Sequence, residues 1–118
     1  MTYRELRRAL RLEVSGNVTT RLVALDLGVH LRDVGPGGFQ ISSPVPIAPE
    51  SVHTVQFTLP DGWTTTLTAR TVHARRVPSP IGPATYAVGF AFVFNPAEGT
   101  EHAVAHLIDR LTAVLSFD

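Results

Sequence analysis

The chain has 118 residues and a mass of 12.8 kDa, which is the size of one domain with one hydrophobic core. It contains no cysteine, so disulfide scaffolds, cysteine-ligated zinc and thiol nucleophiles are excluded. All ten basic residues are arginine and they balance ten acidic residues, which excludes lysine chemistry and argues against a general polyanion-binding surface.

The amino terminus is rich in arginine and too polar for a signal peptide, and no apolar run reaches membrane-spanning length. We therefore expect a soluble, cytoplasmic domain. Arg4, Arg7, Arg8 and Arg11 have the i, i+3, i+4, i+7 spacing of one helix face. Two interpretations are open: a solvated face of an amphipathic helix, or a basic arm, residues 1–12, whose guanidinium groups grip an anion bidentately.

The next segment alternates apolar and polar residues with period two, which predicts a half-buried strand over residues 23–31. A glycine-rich turn follows Asp33, and in it Pro36 and Gly37 suit the central positions of a type II turn. Phe39 and Ile41 then resume the alternation. We therefore predict a strand-turn-strand unit.

A second strand pair is predicted around the turn at residues 60–62, with strands over residues 55–59 and from Trp63 to the Arg75-Arg76 pair. After a proline-rich loop, residues 86–94 form a strand that is apolar on both sides, so we expect both of its faces to be covered. Several short strands separated by turns indicate a sandwich or a small closed barrel.

The carboxyl-terminal segment changes to a helical period, with Val104, Leu107, Ile108, Leu111, Val114 and Leu115 on one stripe. Asn95 is a predicted N-cap, and Pro96 suits the first helical position. We expect one helix over residues 97–117, packed on a barrel formed by residues 13–96.

Two of these features occur in an order that resembles a known family. Residues 7–11, Arg-Arg-Ala-Leu-Arg, and residues 33–38, Asp-Val-Gly-Pro-Gly-Gly, resemble the signature of the PilZ domain family of bacterial cyclic di-GMP receptors. That signature is Arg-x-x-x-Arg followed by (Asp/Asn)-x-Ser-x-x-Gly. Residues 72–75 and 86–92 also resemble later strands of the family, so the likeness covers nearly the whole chain. It implies a mainly β fold, a six-stranded antiparallel β-barrel with a C-terminal α-helix, in a single domain over residues 1–118.

The resemblance also implies a ligand, cyclic di-GMP, and a role for each motif residue. Arg7 and Arg11 would contact the phosphates and the Hoogsteen edge of guanine. Asp33 would accept hydrogen bonds from guanine N1–H and the 2-amino group. Gly38 would let the backbone approach the ligand, and Arg8 would stack on a base or reach a phosphate. The implied ligand-binding set is Arg7, Arg8, Arg11, Asp33, Gly35 and Gly38, with no cofactor and no metal.

Gly35 departs from the signature, because the family has serine at this position. A hydroxyl that could bind the ligand or brace the turn is therefore missing. A typical hydrogen bond contributes about 0.5–1.5 kcal/mol, so its loss lowers affinity roughly 2- to 13-fold. The substitution weakens the expected site without removing it.

Other candidate chemistry is weaker. His102 and His106 have the spacing of two metal ligands on a helix, but they fall on its polar face and no general base lies between them. His30 and His73 lie within predicted strands, as surface or cross-strand residues. No Gly-x-Ser-x-Gly elbow and no suitably spaced carboxylate pair is found, so we do not expect an enzyme.

Two functions stay open. In the first, cyclic di-GMP orders the arginine-rich arm against the barrel, and the new surface signals to a downstream bacterial protein. In the alternative, the chain is a degenerate PilZ-like adaptor that binds a protein partner without binding nucleotide. Both exclude nucleic acid partners and membrane insertion, and both fit a monomer or a weak homodimer.

Overall fold

The computed structural model describes residues 12–14 and 18–115, which form seven β-strands and one α-helix. The strands are β1 (Leu12–Glu13), β2 (Thr19–Leu22), β3 (Leu27–Gly35), β4 (Gly38–Ser43), β5 (Val52–Thr58), β6 (Thr64–Val77) and β7 (Thr85–Phe92), and the helix is α1 (Thr100–Leu115).

All paired strands are antiparallel. The strand order is β1-β3-β2-β5-β6-β7-β4, and β4 pairs with β3, which closes β2 to β7 into a ring of six. This arrangement confirms the predicted six-stranded antiparallel barrel with a C-terminal helix. The two-residue strand β1 pairs with Asp33 and Val34 of β3, beyond the residues of β3 that pair with β2.

The core is built from the inward-facing side of each strand together with one stripe of α1. Phe39 stacks on Phe90 with 4.9 Å between ring centroids and meets Phe57 edge to face at 5.2 Å. Val104, Leu107 and Leu111 of α1 are buried in the same cluster. Each such side chain contributes about 1.5–3 kcal/mol when it is withdrawn from water. The helical stripe expected from the sequence therefore is the buried face.

The helix begins three residues later than we expected. The Asn95 side chain accepts a hydrogen bond from Ala97 N at 3.0 Å, but the turn that it caps, Pro96–Glu98, is a short 3-10 helix. Gly99 then adopts a left-handed conformation with φ of 66°, which interrupts the helical backbone before Thr100. The proline and its cap were predicted correctly, while the glycine moves the start of α1.

The single strand predicted over residues 23–31 is wrong, because this segment contains a hairpin turn. Leu22 of β2 pairs with Leu27 of β3, and Val23–Leu25 between them form one turn of 3-10 helix. Asp26 closes the turn in the left-handed conformation, which aspartate tolerates better than most residues, and it is paired with Arg21. Val23 and Leu25 are 43% and 54% exposed, so their alternation does not reflect burial.

The later strands follow the prediction, except that β7 ends at Phe92 and the last two residues of the predicted strand, Val93 and Phe94, are 40% and 47% exposed. The β5–β6 hairpin turns through Gly62, whose φ is 90°, and Leu59 N donates to the Trp63 carbonyl at 2.9 Å. In β7, Val88 and Phe90 point into the core, while Gly89 on the opposite face is also buried. Among the residues described, no helical segment has the length and apolar character needed to cross a lipid bilayer.

Candidate functional site

The hairpin between β3 and β4 brings three of the predicted site residues together. Asp33 and Gly35 end β3 and Gly38 begins β4, with Gly35 and Gly38 paired across the two-residue turn. The other predicted residues, Arg7, Arg8 and Arg11, lie outside the described residues, as does Arg4.

A β-bulge at Arg32 sets the direction of the Asp33 side chain. Leu31 pairs with Ile41 and Asp33 pairs with Gln40, so Arg32 is an extra residue in β3. Leu31 and Val34 are 1% and 0% exposed, and two residues three apart in a strand face the same side only when a bulge lies between them. The bulge therefore turns Asp33 outward while Val34 stays in the core.

The extra strand β1 builds a cavity beside Asp33. Glu13 pairs with Asp33 across β1 and β3, and Val14 N donates to the Arg32 carbonyl at 2.9 Å. A cavity of about 440 Å³ lies here, lined by Glu13, Val14, Arg32 and Asp33. Glu13 and Asp33 thus place two carboxylate side chains at paired positions on the outer face of the sheet.

The turn that joins β3 and β4 is not of type II, contrary to the prediction. Positive φ occurs at Asp26, Glu50, Gly62 and Gly99 among the described residues, and not at Gly37, where a type II turn requires it. The Gly37 carbonyl instead accepts a hydrogen bond from Phe92 N at 3.0 Å. This bond fixes the turn to the end of β7.

Gly38 is required by the barrel itself. A Cβ atom at this position would collide with the carbonyl oxygen of Phe90 in the neighbouring strand β7. The sequence resemblance assigned this glycine to close approach of a ligand. The close approach found in the structure is between two strands, and it keeps the hairpin flat against β7.

Two residues that line the cavity, Glu13 and Arg32, were not identified from the sequence. Arg32 precedes the motif and looks like an ordinary outward strand residue, because a bulge leaves no mark on the pattern of apolar residues. Glu13 reaches the site only through pairing between β1 and β3. Both depend on the register between paired strands, which the pattern of apolar residues does not show.

The histidine pair of the helix does not form a metal centre in the part of the chain that is described. His102 and His106 are exposed on α1, and the His106 ring packs against Trp63 with 5.2 Å between centroids. Within residues 12–14 and 18–115, no three metal-ligating side chains come together.

The sequence model of the PilZ domain matches residues 5–110. No curated protein matches the chain in sequence. Among solved structures, the uncharacterized Legionella protein Lpg0364 is similar with a TM-score of 0.62 and 12% identity, covering 91% of this chain and 98% of that one.

Two larger proteins contain a similar domain. The c-di-GMP complex of MrkH from K. pneumonia has a TM-score of 0.68 and 13% identity over 95% of this chain, and 55% of MrkH is covered. PlzA from Borreliella burgdorferi in complex with c-di-GMP has a TM-score of 0.56 and 10% identity over 94% of this chain, and 55% of PlzA is covered. This chain thus spans about half the length of either protein. With the family model matching most of its residues and a closed barrel carrying the motif hairpin, the chain belongs to the PilZ domain family.

Proposed function

We propose that this chain is a cytoplasmic receptor domain that binds cyclic di-GMP and performs no catalysis. The observation that carries the proposal is the outward turn of Asp33 at the Arg32 bulge, beside the cavity bordered by β1. The solved complexes of MrkH and PlzA with c-di-GMP support the choice of ligand.

The chemistry of Asp33 favours guanine over adenine. An ionised carboxylate only accepts hydrogen bonds, and guanine presents two donors side by side, N1–H and the 2-amino group. Adenine has no such pair, so it leaves the carboxylate oxygens unsatisfied.

The basic arm joins the described structure next to this site. Leu12 pairs with Val34, the residue between Asp33 and Gly35, and Arg11 directly precedes Leu12 in the sequence. In the proposed complex Arg7 and Arg11 bind the phosphates and the Hoogsteen edge of guanine, with Arg8 as an additional contact. A ligand moves the arm only if it binds the closed arrangement, in which the arm lies against the barrel, more tightly than the open one. The closed arm then presents the surface that a downstream protein recognises.

Calorimetric titration of the intact chain with cyclic di-GMP tests the proposal. We expect a dissociation constant on the order of micromolar or tighter. The affinity should fall by more than about 30-fold in Arg7→Ala, Arg11→Ala and Asp33→Ala, because each substitution leaves a desolvated polar group of the ligand unpaired. Asp109→Ala, which removes an exposed carboxylate from α1, is the matched control and keeps wild-type affinity. A titration that shows no binding with about 50 μM ligand contradicts the proposal.

The alternative, an adaptor that binds protein without nucleotide, rests on one observation, Gly35 in place of the motif serine. It shares the barrel and the partner surface but needs no ligand. Under this alternative the titration of the intact chain with cyclic di-GMP is flat, and the chain still binds its protein partner.

A further inference from the structure

The outer face of the barrel carries a second bulge. It lies at the far end of a row of paired residues that crosses the sheet from Asp33. Across four neighbouring strands Asp33 pairs with Gln40, Gln40 with Gly89, and Gly89 with His73. Thr71 pairs with Phe90, so Val72 is an extra residue in β6. The two register shifts of the described sheet therefore lie at the two ends of one row.

The bulge at Val72 turns His73 outward in the same way that the bulge at Arg32 turns Asp33. Thr71 is fully buried beside Phe90, and without the extra residue His73 would face the core as well. With it, the His73 ring lies over Gly89, where a Cβ atom would collide with the ring. The glycine thus provides the space in which an aromatic ring lies flat on the sheet.

Two arginines flank this ring on the same face of β6. Arg70 pairs with Ala91 and Arg75 pairs with Ala87, one position to either side of Gly89 on the outer face of β7. Both arginines are exposed, and neither is among the ion pairs found within the described residues. Their positive charges are therefore available to an anion that crosses β7.

We propose that the nucleotide site extends from Asp33 across β4 and β7 to β6, where His73 stacks on the second purine of the ligand and Arg75 binds a phosphate. This inference rests on the proposed function and adds residues that lie outside both sequence motifs. Base stacking on an aromatic ring needs a flat, solvent-accessible face, which His73 offers above Gly89. A guanidinium beside it supplies the charge that a phosphodiester requires.

The spacing fits a ligand with two bases. Neighbouring strands lie about 4.8 Å apart, so three strand spacings separate Asp33 from the His73 backbone by about 14 Å. Because the ring leans over Gly89, it lies roughly two strand spacings, about 10 Å, from Asp33 along the row. Gln40 occupies the position between them and can bind either base or the linking phosphate.

The test compares variants of the intact chain in cyclic di-GMP titrations. His73→Ala weakens binding roughly 5- to 100-fold, as expected for the loss of one stacked base, and His73→Phe restores affinity to within about threefold. Arg75→Ala weakens binding roughly two- to fivefold. Arg76→Ala is its control, because it removes the same charge from the next residue, which faces the opposite side of β6 and pairs with Tyr86.

A spectroscopic readout separates stacking from a general effect on the fold. The ring protons of His73 shift upfield when cyclic di-GMP is added, and Gly89→Ala, which displaces the ring without removing it, weakens both the shift and the binding. Wild-type affinity in His73→Ala, together with loss of binding in Asp33→Ala, overturns this inference and leaves the proposed function intact. A wild-type chain that does not bind overturns both.

Discussion

Gly38 lies where β4 crosses closest to the backbone of β7, and its lack of a side chain permits that contact. Gly37, the preceding residue, has open space where a Cβ atom would be and does not use positive φ. The two adjacent glycines therefore differ in what the fold requires of them, although the sequence motif gives no sign of it.

Replacing the two glycines separately tests this difference. Gly38→Ala should lower the free energy of unfolding by about 1–3 kcal/mol, because β4 must move away from the Phe90 carbonyl. Gly37→Ala should stay within about 0.5 kcal/mol of wild type. Urea denaturation measures both. Equal stabilities of the two variants would contradict the packing role of Gly38.

His53 is a second residue whose environment has a measurable effect. Its ring faces the interior of the barrel, edge-on to Phe90 at 5.9 Å between centroids, and its Nε2 lies 2.7 Å from Ser51 Oγ. Burial lowers the pKa of His53 below its usual 6.5, because the charged ring loses hydration.

The lowered pKa of His53 makes stability depend on pH in a defined direction. Below pH 6.5 the unfolded chain binds a proton at this histidine, whereas the folded chain does so only at lower pH. The free energy of unfolding should therefore fall as the pH drops from about 7.5 to about 5.5. His53→Gln should show a smaller fall over the same interval, with His102→Gln, on the exposed face of α1, matching wild type. An unchanged pH dependence in His53→Gln would rule out this contribution.

At the scale of elements, α1 is fixed to the β5–β6 hairpin through Trp63. The Arg110 guanidinium lies 4.7 Å from the centre of the Trp63 ring and donates to Asp61 Oδ2 at 2.9 Å. Asp61 Oδ1 in turn accepts from Trp63 N at 2.9 Å. One arginine therefore links the helix to both the ring and the turn.

Removing this link should loosen the helix without unfolding the barrel. Arg110→Met keeps the apolar stem but loses the cation–π contact and the ion pair, which together contribute about 0.5–1.5 kcal/mol at such a partly exposed position. Trp63 is the only tryptophan, so its fluorescence reports the change directly. Glu101→Ala, in the first turn of α1, is the control. Identical fluorescence and stability in Arg110→Met would show that the apolar stripe alone holds the helix.

The sequence predicted elements well where local pattern and burial coincide. Alternation in β5, β6 and β7 and the stripe of α1 match most of the buried residues, although Val52 of β5 and Val72 of β6 are 59% and 51% exposed. The pattern failed over residues 23–26, where apolar residues occupy an exposed 3-10 turn. The pattern also could not show the bulges at Arg32 and Val72, since an extra residue changes the direction of the side chains that follow it without changing the composition of the strand.

At the scale of the whole molecule, the sequence could predict only those residues of the site that lie close together along the chain. Asp33, Gly35 and Gly38 belong to one hairpin, and the motif places them together. Glu13 and His73 reach the same face only because β3 pairs with β1 on one side and with β4 on the other. Such pairings arise from packing across the barrel, and a single sequence carries no direct record of them.

Closure of the ring also limits how this domain can meet another protein. Among the described strands every member of the ring pairs with two others along the ring, but the end of β6 beyond Thr71 pairs with β7 alone, and the two-residue β1 pairs with β3 alone. An extended peptide from a partner therefore finds main-chain hydrogen bonds to complete only along these two short stretches. In the proposed function a partner therefore recognises mainly side chains on the barrel wall, and a bound nucleotide changes that surface without any strand being exchanged.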